Sequence, residues 1–220
     1  MVPTDLNIVT QTGSENNILV EQQTGTVLHD SQAPIIPEAS GALIPIENIS
    51  DTGLLKIGDE NAPITLLVFT EYHCGYCHEF QTEQIPMLIT DYVLTGEMQI
   101  HIGIFTLDKY PNSLDAAKGM YCAAIQGKGF KMNTLLFEKN NKAKVSLLSY
   151  AKDLGMDEEA FGECMENENT EKIILSQKEW AQSMGVKYVP TFFLNGEKLV
   201  GLQYMADLKG RIDDMIEERK

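Results

Sequence analysis

The distribution of apolar residues divides the chain into a polar N-terminal segment and a longer part with regular hydrophobic patterns. Residues 1–48 are rich in Asn, Gln, Thr, Ser, Gly and Pro, with short apolar patches but no sustained period. Three prolines between Gln32 and Pro45 disfavour regular structure there. We therefore expect a flexible tail or linker over 1–48, either a leader remnant or a membrane tether, and a folded domain over 49–220.

The folded part is predicted to open with a strand, a helix and a second strand. The continuous apolar run Ile64–Phe69 contains β-branched residues and indicates a buried central strand. A helical pattern starts near Cys74, with Pro86 expected to kink or split it, and Gly96 ends it. Alternating apolar positions over Met98–Phe105 indicate the second strand.

Helical periodicity then continues over about 108–184, with apolar residues at three- and four-residue spacing. Two apolar runs separated by Asn195-Gly196 predict a β-hairpin with a type I′ turn, and an amphipathic helix follows it. The resulting order is β, α, β, several helices, β, β, α. This order is typical of an α/β thioredoxin-like fold with a helical domain inserted at about 108–184.

Composition and charge exclude some classes of partner. The 220 residues include 32 acidic and 17 basic ones, which gives a net charge of −15. This charge repels phosphate backbones and anionic lipid head groups, so we expect no nucleic-acid binding. No apolar run reaches the roughly 18–20 residues that a membrane-spanning helix needs.

The motif Cys74-x-x-Cys77 lies where the first strand gives way to the helix. Its spacing is compatible with a redox dithiol, with half of a zinc site or, because His78 follows, with covalent haem attachment. A four-cysteine zinc site usually needs a second close pair, and Cys122 and Cys164 are far apart in the sequence. Cytochromes with the haem motif are typically small and helical, whereas this chain predicts strands. The surroundings favour a redox dithiol that works without a cofactor or metal.

Each thiol of the motif has a predicted role. A cysteine at a helix N-terminus ionises more readily, because unpaired backbone N–H groups and the helix dipole stabilise its thiolate. Cys74 is therefore expected to be the nucleophile, and Cys77, one turn further on, the resolving thiol. His73 and His78 flank the pair, and a protonated imidazole would lower a thiol pKa further.

The segment 188–192 is the second informative stretch, because Pro190 stands directly ahead of a predicted strand. A proline in this place can follow a cis peptide bond. If the strand runs beside Ile64–Phe69, Pro190 lies against the two sulfurs of the motif. An ordinary trans proline that initiates the strand is the alternative.

Two motifs of the chain are specific when taken together. The first is Phe69-Thr-Glu-x-x-Cys-Gly-Tyr-Cys-His, and the second is Gly185-Val-x-x-Val-Pro-Thr-Phe-Phe-x-Asn-Gly. The pair resembles the DsbA-like thiol–disulfide oxidoreductases of the thioredoxin superfamily. The resemblance covers about residues 55–220.

The resemblance implies an extracytoplasmic enzyme, in the periplasm or cell envelope, that exchanges disulfides with protein substrates and is reoxidised by a DsbB-like membrane partner. It also implies a cis Val189–Pro190 bond, with Val189 and Thr191 contacting an extended substrate segment. Relatives with cysteines at similar places can bridge them, so a structural Cys122–Cys164 disulfide is expected. Two buried free thiols are the alternative.

Some positions depart from the family pattern, and others resemble different branches of the family. Many relatives carry an acid six residues before the first cysteine, where this chain has Val68, and Glu71 is the nearer acid. Gly75-Tyr76 between the thiols resembles disulfide isomerases of the DsbC type, whereas Val189 before the proline resembles the oxidases. No folded dimerisation domain is evident in the N-terminal segment, which favours a monomeric oxidase. A disulfide isomerase or reductase of the same fold is the alternative.

Overall fold

A six-stranded mixed sheet forms the centre of the computed structural model, which describes residues 35–37, 43–200 and 205–219. In spatial order its strands are β3 (Glu47–Ile49), β4 (Leu55–Ile57), β6 (Met98–Ile104), β5 (Ile64–Thr70), β7 (Thr191–Leu194) and β8 (Glu197–Val200). β5 and β6 run parallel, and the other neighbouring pairs are antiparallel. Apolar side chains of β5 and β6 are buried except Leu67, which is partly buried, as the continuous run in β5 predicts.

Regular structure begins earlier than the N-terminal sequence pattern indicates. β1 (Ile35–Pro37) and β2 (Leu43–Pro45) form a separate antiparallel pair, and β3 joins the main sheet at its edge. The expected lack of regular structure between Gln32 and Pro45 is wrong for these strands, since prolines are tolerated in edge positions. The rest of the predicted tail, 1–34 and 38–42, lies outside the described residues.

A segmented helical stretch follows β5. It consists of α1 (Gly75–Glu79), a π-helical turn (Phe80–Gln84), α2 (Ile85–Leu88) and a second π-helical turn (Ile89–Val93). Pro86 lies in the first turn of α2, where a residue without an N–H group is tolerated. The expected split therefore takes the form of π-helical turns on either side of α2.

Five helices between β6 and β7 confirm the predicted helical insertion. They are α3 (Ser113–Ile125), α4 (Gly129–Glu138), α5 (Lys144–Asp153), α6 (Glu158–Glu166) and α7 (Glu168–Ser183). A disulfide between Cys122 and Cys164 joins α3 to α6, as the resemblance implied. The last helix, α8 (Met205–Glu217), follows the β7–β8 hairpin.

The turn between β7 and β8 has the predicted geometry. Asn195 and Gly196 have φ angles of 45° and 91°, and a type I′ turn needs positive φ at both positions. The Asn195 side chain also accepts a hydrogen bond of 2.8 Å from the Thr65 backbone N–H. This bond ties the hairpin to the start of β5.

Replacing both Cys122 and Cys164 by alanine is expected to lower the free energy of unfolding by about 3–4 kcal/mol. The bridge spans 42 residues of sequence, so its loss releases a long loop in the unfolded chain. Urea unfolding measures the change, in a Cys74→Ser/Cys77→Ser background so that only the bridge differs. A loss below about 1 kcal/mol would contradict the loop-entropy account.

Candidate active site

The dithiol lies at the carboxyl end of β5, where the chain turns into α1. Cys74 immediately precedes the helix and has an extended backbone, with φ −87° and ψ 120°. Cys77 lies within α1 and is fully buried, whereas Cys74 is partly exposed, and both are free thiols. An incoming sulfur can therefore reach Cys74, whereas the buried Cys77 can react only with a group that is already bound to Cys74.

The two thiols ionise very differently. The pKa of Cys74 is lowered to about 6, chiefly because the Cys77 thiol hydrogen-bonds to its sulfur. Burial acts to raise this pKa, whereas hydrogen bonds from the backbone N–H groups of Cys77 and Tyr76 lower it further. Burial raises the pKa of Cys77 far above its ordinary value, and the neighbouring Cys74 raises it further. At neutral pH the pair therefore holds one thiolate, on Cys74, and one proton, on Cys77.

The proline loop before β7 faces the dithiol. The Val189–Pro190 peptide bond is cis, as the resemblance implied, and Cys74 Sγ lies 3.5 Å from the Val189 carbonyl oxygen. The register of the sheet explains this closeness, since Phe69 of β5 pairs with Thr191 of β7. Residues that follow β5 therefore lie beside residues that precede β7.

Thr191 supports the proline loop from within the protein. It is fully buried, and its hydroxyl donates a hydrogen bond of 2.6 Å to the Tyr188 carbonyl. Val189 is partly exposed, and its N–H group donates to no acceptor among the described residues. The backbone of Val189 is thus accessible to an extended ligand, whereas the Thr191 side chain holds the loop in place.

Glu71 places a buried carboxylate beside the dithiol. The Glu71 side chain accepts hydrogen bonds from the His73 backbone N–H at 2.6 Å and from His73 Nδ1 at 3.0 Å. Its negative charge acts to raise the pKa of Cys74. It also acts to raise the pKa of Lys142, which burial lowers. Glu71, the acid that most closely precedes the motif in the sequence, therefore interacts electrostatically with the Cys74 sulfur.

Neither histidine takes the role expected of it. The groups that lower the Cys74 pKa are the Cys77 thiol and backbone N–H groups. The His73 ring is instead bound to Glu71 and stacks on Tyr110, with ring centroids 5.0 Å apart. His78 is exposed on α1. The Cys77 thiol and the backbone N–H groups at the start of α1, rather than a flanking imidazole, lower the pKa of the nucleophile.

A buried polar network attaches the helical insertion to the site. The Tyr72 hydroxyl donates to Asn133 Oδ1 at 3.1 Å, and Asn133 Nδ2 donates to Gln81 Oε1 at 2.9 Å. These residues belong to the loop after β5, to α4 and to the first π-helical turn. Val68, six residues before Cys74 on β5, is buried in the apolar core. The hydrogen bonds of this network thus join the loop after β5 to α4 and to the first π-helical turn.

A groove of about 320 Å³ adjoins Cys74. Its lining combines apolar, aromatic and basic side chains: Cys74, Phe105, Leu107, Lys109, Tyr110, Lys187, Tyr188 and Val189. Lys109, Tyr110, Lys187 and Tyr188 are not among the residues predicted for the site. One signal points to the first two, because the carboxyl ends of the parallel strands β5 and β6 meet at the same sheet edge. Lys187 and Tyr188 directly precede the predicted proline loop.

The described ranges contain no group of three His, Cys, Asp or Glu side chains arranged to hold a metal ion. Cys122 and Cys164 are joined to each other, so they cannot complete a four-cysteine zinc site with the dithiol. Among the helices of the same ranges, none combines the length and the apolar character that crossing a bilayer requires.

Known proteins share the sequence pattern and the fold. A family model described as Thioredoxin matches residues 50–214. The crystal structure of oxidised BdbD from Bacillus subtilis matches with a TM-score of 0.67 at 18% identity, and the match covers 79% of this chain and 99% of that chain. The structure of alpha-DsbA1 from Wolbachia pipientis also has a TM-score of 0.67, at 22% identity, covering 77% of this chain and 94% of that one. At these identities the likeness shows the fold.

The curated relatives are much longer proteins. Na(+)/H(+) antiporter NhaA 1 of Mycobacterium sp. (strain KMS) is 31% identical over 150 residues, which are 66% of this chain and 24% of that protein. Na(+)/H(+) antiporter NhaA 3 of Salinispora tropica is 28% identical over 142 residues, which are 64% of this chain and 21% of that protein. The chain thus spans about a quarter or less of the length of these relatives.

The pKa of Cys74 is expected to depend on the hydrogen bond from Cys77. In the wild type, the rate of alkylation by iodoacetamide should rise with pH around a midpoint near 6, because the thiolate reacts. Cys77→Ala should move the midpoint upward, whereas Cys77→Ser, which keeps a hydroxyl donor, should move it less. Equal midpoints in the two variants would contradict this assignment.

Removing the charge of Glu71 is expected to lower the pKa of Cys74, because the carboxylate destabilises the neighbouring thiolate. Glu71→Gln keeps an oxygen acceptor for His73 and should shift the pH–alkylation profile to lower pH. Glu79→Gln, which removes an exposed carboxylate from α1, is the matched control and should leave the profile in place. An unchanged or raised midpoint in Glu71→Gln would overturn this role.

Proposed function

The chain belongs to the Thioredoxin family, and from this premise we propose that it forms disulfides in protein substrates through Cys74 and Cys77. Its class, a thiol–disulfide oxidoreductase with a DsbA-like fold, agrees with the family match and the neighbouring structures. The observation that carries the proposal is the difference in exposure and protonation between the two thiols. A partly exposed thiolate stands beside a buried, protonated thiol.

Oxidation of a substrate proceeds in two exchange steps. A substrate thiolate attacks Cys74 of the Cys74–Cys77 disulfide, and Cys77 leaves as a thiolate and takes up a proton. A second substrate thiolate then attacks the substrate sulfur of the mixed disulfide and releases the Cys74 thiolate. The substrate loses two electrons and gains a disulfide, and the protein becomes the dithiol. The dithiol itself is the redox group, so the reaction needs no other cofactor.

Stabilisation of the leaving Cys74 thiolate supports the oxidising direction. A lowered thiol pKa stabilises the reduced form at neutral pH, and a protein whose reduced form is stabilised is a stronger oxidant. It also makes Cys74 a better leaving group in the second step. Glu71 acts against this stabilisation, so the potential reflects the balance between the carboxylate and the Cys77 hydrogen bond.

The proline loop is proposed to hold the substrate. Val189 is partly exposed, its backbone lies next to Cys74, and we propose that this backbone pairs with an extended segment that carries the reacting cysteine. Pro190 has no N–H group of its own to compete for this pairing. Thr191 contributes by fixing the loop through its buried hydroxyl.

The proposed setting is the periplasm or cell envelope, with a DsbB-like membrane protein to reoxidise the dithiol. The Cys122–Cys164 bridge supports this setting, because structural disulfides persist in oxidising compartments. We further propose that the protein acts as a monomer. Isomerase activity is the second candidate, favoured by the Gly75-Tyr76 dipeptide between the thiols.

The oxidase proposal predicts that the oxidised protein introduces disulfides into reduced, unfolded ribonuclease. Cys74→Ser should reduce the rate to that of the uncatalysed reaction, because the exchange has lost its nucleophile and leaving group. The control variant Cys122→Ala/Cys164→Ala replaces two cysteines that lie outside the dithiol, and it should retain activity. Activity that survives Cys74→Ser would contradict the mechanism.

The reduction potential, measured against glutathione, distinguishes the candidate directions. A value more oxidising than about −200 mV supports the oxidase, since thioredoxin lies near −270 mV and DsbA near −120 mV. A value below that limit contradicts oxidation as the physiological direction. Refolding of scrambled ribonuclease by the reduced protein, at a rate above its oxidation of the reduced substrate, would favour isomerisation.

A further inference from the structure

Two lysines border the nucleophile of a strongly acidic protein. Lys109 and Lys187 line the groove beside Cys74, although the whole chain carries a net charge of −15. Within the described residues neither lysine forms an ion pair, and the Lys109 ammonium lies 4.7 Å from the centre of the Tyr110 ring. Asp108, the adjacent acid in the sequence, is paired with Lys178 at 2.9 Å. The groove therefore presents cationic groups that have no carboxylate partner in the described part of the chain.

The remaining walls of the groove suit a peptide. Phe105, Leu107 and Val189 provide apolar surface beside Cys74. Tyr188 is 73% exposed, so it presents an aromatic ring to an incoming chain. A volume of about 320 Å³ has room for one or two side chains of a bound segment rather than for a folded domain.

We propose that the groove selects substrate segments in which an acidic side chain lies two residues from the reactive cysteine. This inference rests on the disulfide exchange proposed above, because it concerns the substrate of the same site. In a segment that pairs with the Val189 backbone as a strand, the side chains two positions from the cysteine share its face and point toward the groove walls. An acidic side chain there meets Lys109 and Lys187, while a basic one meets two like charges.

The overall charge of the protein does not cancel this local preference at physiological salt. Long-range repulsion of an acidic segment by the net charge is screened beyond about 8 Å at 0.15 M ionic strength. Contacts within the groove are shorter than this distance and are screened less. The preference is therefore expected at moderate salt and is expected to fall at about 1 M, where the screening length is about 3 Å.

Single-turnover oxidation of three matched dithiol peptides tests the inference. The peptides share one sequence and differ only in the residue two positions from each cysteine, which is Glu, Gln or Lys. The protein is oxidised beforehand with a small disulfide and desalted. Each rate is divided by that peptide's own rate with hydroxyethyl disulfide, which corrects for the effect of the neighbouring charge on the peptide thiol. The wild type should favour Glu over Gln by about two- to fivefold and disfavour Lys.

Two double variants locate the preference. Lys109→Gln/Lys187→Gln should reduce the Glu-to-Gln rate ratio to about one. Lys152→Gln/Lys172→Gln makes the same change in net charge at exposed positions that do not line the groove, and it should retain the ratio. A retained ratio in the groove variant, or a lost ratio in the control, would overturn the assignment to the groove.

The outcomes separate this inference from the proposed function. If the oxidised wild type converts all three peptides at equal corrected rates, disulfide exchange stands and the acidic preference is wrong. A higher rate for the Gln peptide than for the Glu peptide would show selection by the apolar walls and would also overturn it. If the oxidised protein converts none of the peptides, the proposed function fails, and the inference fails with it.

Discussion

The antiparallel pairing of β5 with β7 is the constraint on which the candidate site depends. Residues that follow β5 carry the dithiol, and residues that precede β7 carry the proline loop, so one register aligns both. It brings the Val189 carbonyl oxygen to 3.5 Å from Cys74 Sγ, although the two residues are 115 positions apart in the sequence. The entire helical insertion lies between these two strands and has to return the chain to this edge.

A second constraint is that the two thiols together carry one negative charge. Cys77 is buried in α1 and stays protonated, and its thiol stabilises the thiolate at the start of the helix. The buried Glu71 carboxylate opposes that thiolate from the preceding loop. The acidic group near Cys74 thus lies on the loop after β5, where it also acts to raise the pKa of Lys142, whereas Val68 on the strand is buried in the apolar core.

The helical insertion contributes to the site as well as covering it. Asn133 of α4 completes a buried hydrogen-bond network with Tyr72 and Gln81 on the dithiol side. The Cys122–Cys164 bridge holds α3 against α6. Lys109 and Tyr110, which precede α3, meet Lys187 and Tyr188, which follow α7, beside the nucleophile. The substrate side of the site is therefore built where the insertion leaves and rejoins the core.

The sequence by itself determined the order of elements, the central strand, the type I′ hairpin and the dithiol at a helix N-terminus. These follow from local patterns, because periodicity, turn residues and short spacings act over a few neighbouring positions. Its resemblance to a family added the cis proline and the Cys122–Cys164 bridge. Only the tertiary structure decided that His73 binds Glu71 instead of activating Cys74, and that two lysines border the groove. Those outcomes depend on which side chains meet across distant segments, and no local pattern encodes such contacts.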